Sequence, residues 1–509
     1  MGRDVFYITT PIYYPSDVPH IGHGYTSVAA DFIARYHRLR GEDVFHLTGT
    51  DEHGLKLQRA AEDAGMQPQR WVDEMEPRWR EVWARVEIAN DDYIRTTEPR
   101  HRQAVQRLLS AVHDNGRDDI YLGTYEGLYC VSCELYYTED ELVEGNCPIH
   151  ERPVERVSQD NYFFRLSAYA DSLLEHYERE PSRVEPETRR NEVLSLIKAG
   201  LLDFSISRTN FDWGIPLPWD PEHVCYVWFD ALTNYITAAG YGSDDARFGA
   251  MWPANIHMIG KDILRQHAIY WPAMLMAAGI NPPTQVWAHG YLTVGGKKMS
   301  KTNLTGIHPF ELIDHFGVDS YRYYFVRQIQ FGQDGNFSWE SMVERHNADL
   351  ANGLGNLASR ILAMLASSFD GVVPEPGGHE EDLPTVIEEA VRRYDDHMSA
   401  VALTQALVDV WEVVGRANGY LVEKAPWTLK EASRRDELAA ILYASAETLR
   451  ILAVLIQPIM PGAAQRLWDQ LGIGASLADQ RLPVTARWGG LEPGTKTSKG
   501  PALFPRLES

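Results

Sequence analysis

Apolar and polar positions alternate along the chain in a way that predicts strands and helices in succession. A short apolar run, Val5-Phe-Tyr-Ile-Thr9, precedes the polar stretch Pro11-Ile-Tyr-Tyr-Pro-Ser-Asp-Val-Pro-His20-Ile-Gly-His23-Gly24. From Tyr25 to Arg40 the apolar positions Val28, Phe32, Tyr36 and Leu39 fall on one helical face. Gly41 ends that helix, and Asp43-Val-Phe-His-Leu-Thr48 predicts a second strand that closes in another polar cluster, Gly49-Thr-Asp51-Glu-His53-Gly54. Strand, helix, strand implies a parallel pair. In an open parallel sheet ligands bind beyond the carboxyl ends of the strands, so the two clusters are expected to face one crevice.

From about Gly116 the alternation breaks into a short, aromatic, turn-rich run that reads as an insertion. The segment Phe204-Ser-Ile-Ser-Arg208 to Trp219 leads back to the sheet, and Val224-Cys-Tyr-Val-Trp-Phe229 is read as a strand with Cys225 a buried small residue. Asn255 to His267 repeats the strand, glycine, helix arrangement. Pro309 to Gly317 and Val318 to Arg327 predict two helices separated by a glycine stop. Beyond them, Leu403, Leu407, Val410, Trp411 and Val414 form one stripe, and Leu438, Leu442, Leu449, Leu452 and Ile456 another, which predicts a helical bundle. Val372 to Pro384 is expected to be a loop between its helices.

A length of 509 residues allows several domains with substantial cores. With 44% hydrophobic and 23% charged residues, and no apolar run near the ~20 residues of a membrane span, a soluble cytoplasmic protein is expected. The N-terminus enters a strand too soon for a signal peptide. A formal charge of -23 argues against a general nucleic-acid coat protein, so any nucleic-acid site must be a local basic patch. Three of the four cysteines, Cys130, Cys133 and Cys147, crowd beside His150. C-x2-C followed by C-x2-H offers a full tetrahedral set for one structural Zn2+, and the metal would stabilise a lobe too small to fold alone.

Two histidines flanking a glycine at a helix start would bring ring nitrogens and unpaired backbone N–H groups to a point that suits a phosphate. Far downstream, Gly295-Gly-Lys-Lys298-Met-Ser-Lys301-Thr302 supplies a lysine-rich loop able to neutralise a polyphosphate. Together, His20-Ile-Gly-His23 and Lys298-Met-Ser-Lys301-Thr302 resemble the two signatures of class I aminoacyl-tRNA synthetases; Thr302 stands where the family has serine. The pattern Trp228-Phe-Asp-Ala231-Leu232-Thr-Asn-Tyr235 looks like that of the methionyl family in particular. On residues alone, Trp228, Leu232 and Tyr235 could equally be core, and Asp51 an N-cap.

The resemblance covers nearly the whole chain. It implies an α/β fold: a Rossmann-type parallel-sheet catalytic domain in two halves (1-115 and 216-295), a connective insertion (116-215) with a zinc knuckle at about 124-160, a lysine-loop and stem-contact region (296-345), and an all-α anticodon-binding bundle (346-509). It implies activation of L-methionine with Mg2+-ATP and transfer to the terminal adenosine of tRNA(Met). His20, His23, Lys298 and Lys301 would be catalytic. Gly22, Gly24, Asp262 and Ser300 would join them around ATP. Ile12, Tyr14, Asp51, Trp228, Ala231, Leu232, Tyr235, Ile263 and His267 would hold methionine, with Asp51 on its amino group. Arg208 is a candidate clamp for a carboxylate or phosphate. Asn356, Arg360 and Trp427 would read unpaired bases by hydrogen bonding and stacking. The region 309–327, two helices with arginines on the second, would bridge the catalytic sheet to the tRNA stem, and the tail sequence Leu-Phe-Pro-Arg near Ala502 would dock on the body. A monomer without DNA or membrane partners is expected. Two rivals are weighed: a small-substrate nucleotidyltransferase with the same histidine pattern, and a non-catalytic synthetase-like tRNA-binding protein.

Overall fold

The computed structural model describes residues 5–508, apart from 132–134, 138, 150, 295–296 and 299–306; for 125–126, 135–136, 157–159, 294 and 297–298 it describes the backbone only. Cys133, His150, Ser300, Lys301 and Thr302 therefore lie outside the described residues, as does the side chain of Lys298. The chain forms two compact units. One comprises Met1–Pro19, Asp43–Ala84 and Ala89–Gly290; the other comprises His20–Glu42, Arg85–Ile88 and Tyr291–Ser509.

The first unit is built on a six-stranded sheet. From edge to edge the strands are Asp92–Arg95, Val44–Thr50, Phe6–Tyr13, Ile256–Gly260, Gln285–His289 and Val184–Glu185, every neighbouring pair parallel. The central strands are apolar on both faces, with Tyr7, Ile8, Leu47, Met258, Ile259 and Ala288 fully buried, as a sheet covered on both sides requires. The stretch expected as the connective insertion forms an antiparallel four-stranded sheet, in the order Leu135–Tyr137, Ile120–Cys130, Glu155–Phe164, Phe204–Ser205. The two-residue strand Val184–Glu185, from the same stretch, pairs with Gln285–His289 and completes the large sheet. The run 224–229 is not one strand. Only Val224–Cys225 pairs, and a helix, Val227–Leu232, begins two residues later. Val, Trp and Phe carry strand propensity, but burial of Val227 and Phe229 in the common core is satisfied by the helix and overrides it.

The second unit is mainly helical. Leu403–Lys424 and Arg435–Ile456 bury the two predicted stripes, Trp411 only partly, and the loop expected over 372–384 runs over 370–382 between the helices Asn356–Phe369 and Leu383–Ser399, with Pro384 in the first turn of the latter. The segment Ala432–Ile456 is long and apolar enough to cross a membrane, but 94% of its most apolar window is buried inside the protein, as in a core helix. The tail docks: Leu503 and Phe504 are buried, the Pro505 carbonyl lies 2.8 Å from His346 Nε2, and Asn347 bonds both the N–H and the C=O of Leu507.

Arg322 lies on the helix Val318–Gln328. Its side chain is fully buried, and its five N–H groups go to Ile459 O (2.8 Å), Val86 O and Glu87 O (both 3.1 Å), Asp31 Oδ2 (2.6 Å) and Pro458 O (3.2 Å). No donor remains for a phosphate. This guanidinium instead binds the helix Ile21–Leu39, the segment 86–87 and the turn at 458–459 into one body. Removing one partner of such a buried pair leaves an uncompensated charge, at a cost of about 3–5 kcal/mol. Asp31→Ala is therefore expected to lower stability in urea unfolding by about that amount. Arg35→Ala, which removes a partly exposed partner of the same carboxylate, is expected to cost no more than about 1 kcal/mol. Equal losses would contradict a structural role for the Arg322–Asp31 pair.

Candidate functional site

In the second unit, the helix Ile21–Leu39 begins at the histidine pair. His20 is its N-cap: the His20 Nδ1 accepts from Gly22 N–H (3.1 Å), while His20 N–H donates to His23 Nδ1 (3.2 Å). The two rings stack with centroids 3.8 Å apart. Each imidazole thus uses Nδ1 on the backbone, which fixes both rings at the helix start. Gly24 has a packing reason of its own. A Cβ there would lie 1.9 Å from the Tyr321 hydroxyl, so glycine is needed for close helix approach whether or not a nucleotide binds. The strand Leu292–Val294 pairs with Lys297–Lys298, with Thr293 opposite Lys298, which roots the lysine loop in a hairpin.

In the first unit, the sheet's carboxyl edge carries the remaining candidates. Asp51 is buried where the strand Val44–Thr50 ends, its N–H bonded to Tyr13 O (2.9 Å). Asp262 is exposed in the turn after Ile256–Gly260, and its carboxylate occupies the space a Cβ on Gly260 would fill. Leu232 and Tyr235 are buried, and Ile12, Trp228 and Ile263 are partly buried against the same core. Ala231 is buried beside Leu232, and Tyr14 is half-buried with Lys56 Nζ 4.5 Å above its ring.

The Tyr235–His267 pair sets the polarity of this region. His267 Nδ1 is 2.9 Å from the Ile263 carbonyl, which can only accept, so Nδ1 carries the hydrogen. Nε2, 2.7 Å from the Tyr235 hydroxyl, therefore accepts from it. Burial pushes His267 down to about 4 and Tyr235 well above the ordinary phenol value, so both stay neutral. His257, fully buried with its ring 4.1 Å from Tyr235 and Nδ1 2.9 Å from Thr9 Oγ1, is likewise held far below its usual value by burial. Trp228 meets His267 edge-on at 6.3 Å.

Several residues given no role from the sequence converge here. Asp230 is completely buried; its Oδ2 is 2.7 Å from His53 Nδ1 and its Oδ1 2.7 Å from His101 Nε2. Burial pushes this carboxyl up, but the charge of His53 and the bonds from both imidazoles outweigh it and hold it at about 2. Trp213 Nε1 donates to Glu52 O (2.6 Å), and Gly54 N–H donates to Trp213 O (3.1 Å). The quoted runs 49–54 and 227–235 contained His53 and Asp230, but nothing in their spacing linked them.

Arg208, expected as a clamp, is buried, with Nη1 donating to Ser207 O (2.6 Å) and Ser205 Oγ (2.9 Å) and its guanidinium 4.2 Å over Tyr226. These hydrogen bonds of the guanidinium all use Nη1. Among the expected metal ligands, Cys130 and Cys147 are described. Both are buried in one cluster with Tyr137. Cys130 ends a strand opposite Leu135, and Cys147 opens a turn closed by Glu151 N–H to Cys147 O (2.8 Å). Among the described residues no group of three potential ligands is present. In the helical region, exposed Asn356 and half-buried Arg360 lie one turn apart, and the Arg360 guanidinium sits 5.1 Å over the ring of Trp427, which is 46% exposed.

The chain is similar to known proteins over most of its length. Residues 6–159 and 149–362 match the family model for class I tRNA synthetases (M), and 373–509 match the anticodon-binding domain of methionyl tRNA ligase. The methionine–tRNA ligase of Streptomyces coelicolor is 49% identical over 100% of this chain and 97% of its own. That of Caldanaerobacter subterraneus subsp. tengcongensis is 48% identical over 99% of this chain and 79% of its own. The structure of Mycobacterium tuberculosis methionyl-tRNA synthetase in complex with methionyl-adenylate superposes with a TM-score of 0.95 at 44% identity, over 99% of this chain and 100% of that one. Matched from its first strand to its C-terminal helices, the chain belongs to the methionyl-tRNA synthetase family of class I aminoacyl-tRNA synthetases.

Proposed function

We propose that the chain is a methionine–tRNA ligase, which activates L-methionine with ATP to methionyl-adenylate and transfers the methionyl group to the 3′-terminal adenosine of tRNA(Met). The observation that carries the reading is the neutral, internally satisfied Tyr235–His267 pair beside Trp228. A neutral imidazole–phenol pair beside an indole suits a thioether, which gains a little from aromatic edges and offers only a weak acceptor. Ile12, Tyr14, Ala231, Leu232 and Ile263 complete this wall in our reading, and the Asp51 carboxylate receives the ammonium group of the substrate.

In adenylate formation the substrate carboxylate attacks the α-phosphorus and pyrophosphate leaves, so negative charge grows on phosphoryl oxygens. His20 and His23, fixed at the helix start by their Nδ1 bonds, would stabilise that charge together with the helix N-terminus. Lys298 and Lys301 would neutralise the leaving pyrophosphate, with Mg2+ accompanying ATP and Asp262 accepting from a ribose hydroxyl. Asn356, Arg360 and Trp427 would read the anticodon: the Arg360–Trp427 stack presents a flat cationic face to an unpaired base.

The knuckle would hold one structural Zn2+. Two buried thiols on neighbouring turns, in a lobe with little apolar mass, fit a thiophilic ion that stabilises local folding. Cys130 and Cys147 would be joined by Cys133 and His150. Held there, the ion would stabilise the fold of the lobe and take no part in adenylate formation.

Lys301→Ala is expected to lower methionine-dependent ATP–pyrophosphate exchange by about 10²–10³-fold while leaving methionine binding nearly intact; unchanged exchange would remove the lysine from the chemistry. Trp427→Ala is expected to weaken tRNA charging and spare adenylate formation, and equal loss of both would make the tryptophan a packing residue. The neutral pocket also has a signature in stability. His267 is held at about 4 in the fold against ~6.5 unfolded, so between those values the unfolded chain binds the proton and stability falls as pH falls. Relative to His267→Gln, the unsubstituted chain should lose about 2 kcal/mol more on going from pH 7 to pH 5 in chemical denaturation. Parallel pH profiles would mean that His267 titrates normally.

A further inference from the structure

The loop at 51–54 and the helix Val227–Leu232 carry the two ends of the proposed amino-acid site: Asp51 for the ammonium group and Trp228 for the thioether. The loop is tied to the neighbouring strand by Glu52, which accepts from Arg95 Nε (2.7 Å), Thr50 Oγ1 (2.8 Å) and Thr97 Oγ1 (2.5 Å). Those bonds fix the loop against the sheet. They say nothing of its distance from the helix.

That distance is spanned by Asp230. Its carboxylate lies two residues after Trp228, and the imidazole on its Oδ2 belongs to His53, two residues after Asp51. The second oxygen is held by His101 Nε2, whose own Nδ1 lies 3.1 Å from Thr237 Oγ1, which in turn bonds Thr233 O. Asp230, His53 and His101 are each at most 5% exposed. A carboxylate pinned from both sides cannot swing, so the His53 bond is a rigid strut. Trp213 adds an aromatic contact to the same imidazole, with centroids 5.4 Å apart, and no further charge.

We propose that Asp230 is a positioning residue that sets, through His53, the span between the ammonium anchor and the thioether wall. The inference rests on the reading of Asp51 and Trp228 as methionine contacts. A ligand that must satisfy both ends at once feels an error in the span. A ligand that uses one end does not.

The test is methionine-dependent ATP–pyrophosphate exchange with the full chain, using 4-(methylthio)butanoate, which keeps the thioether and lacks the amine, as a competitive inhibitor. His53→Leu deletes the bond to Asp230. It is expected to raise KM for methionine by about 10-fold or more, with KM for ATP and the inhibition constant of the des-amino acid within about 2-fold of their original values. This is the loss expected for one misplaced charge-assisted contact. His53→Asn, whose amide nitrogen can replace Nδ1 as donor, is expected to recover methionine KM to within about 3-fold. Asp230→Asn should behave as His53→Leu does; if it does not fold, the His53 pair decides. Equal weakening of methionine, ATP and the des-amino acid would overturn the inference in favour of a general structural role, as would an unchanged methionine KM in His53→Leu. Asp51→Asn separates the two levels. If it raises methionine KM while His53→Leu does not, only the positioning inference falls; if it leaves methionine KM unchanged, the anchor reading falls and takes the inference with it.

Discussion

A charge taken out of water must have every donor or acceptor spent, and each of the two units is assembled around one such group. In the second unit it is Arg322, whose five N–H groups reach three chain segments that are far apart in sequence. In the first it is Asp230, which gathers helix, loop and the helix Pro99–His113 through two imidazoles. Neither arrangement contributes much by attraction alone, because desolvation offsets most of the Coulomb gain. Their effect is specificity: any other packing of these segments would leave a buried charge unpaired. The helix that begins at His20 and His23 inherits its position from the first of these groups, since Asp31 on that helix is the partner of Arg322.

The same accounting separates the two kinds of chemistry. Around the proposed thioether wall, burial drives imidazoles and phenols to their neutral forms, and the Tyr235 hydroxyl and the His267 Nδ1–H each have an acceptor. At the helix start carrying His20 and His23, the imidazoles are only partly buried and their Nδ1 atoms are committed to the backbone. A neutral pocket rejects charged side chains by desolvation. Imidazoles fixed at a helix N-terminus would, in our reading, meet a phosphate without reorganising. One chain therefore offers apolar discrimination and anion stabilisation as distinct local environments.

Much of this was legible in the sequence, and the pattern of what was not is physical. His20 and Gly22 announced a helix N-terminus, and they form one. The apolar stripes at 403–414 and 438–456 are periodic over many turns and became the bundle helices; the loop at 370–382 was marked by its Pro and Gly content. Asn356, Arg360 and Trp427 were named together and Arg360 stacks on Trp427. Short or two-faced elements were opaque. Val184–Glu185 has no period to read at two residues, and Val227-Trp-Phe229 carries strand propensity inside a helix. Buried charges were opaque for another reason. Arg322, Asp31, Asp230, His53 and His101 look like ordinary surface residues, because a sequence shows a charge and never its partner.

The central claim is that this chain activates one amino acid through a neutral thioether pocket. It is tested most directly by ATP–pyrophosphate exchange with the purified protein, run in parallel with each of the twenty standard amino acids. The account predicts exchange with methionine and background with the others. Exchange independent of any amino acid, or equal exchange with an amino acid that has no thioether, would contradict it.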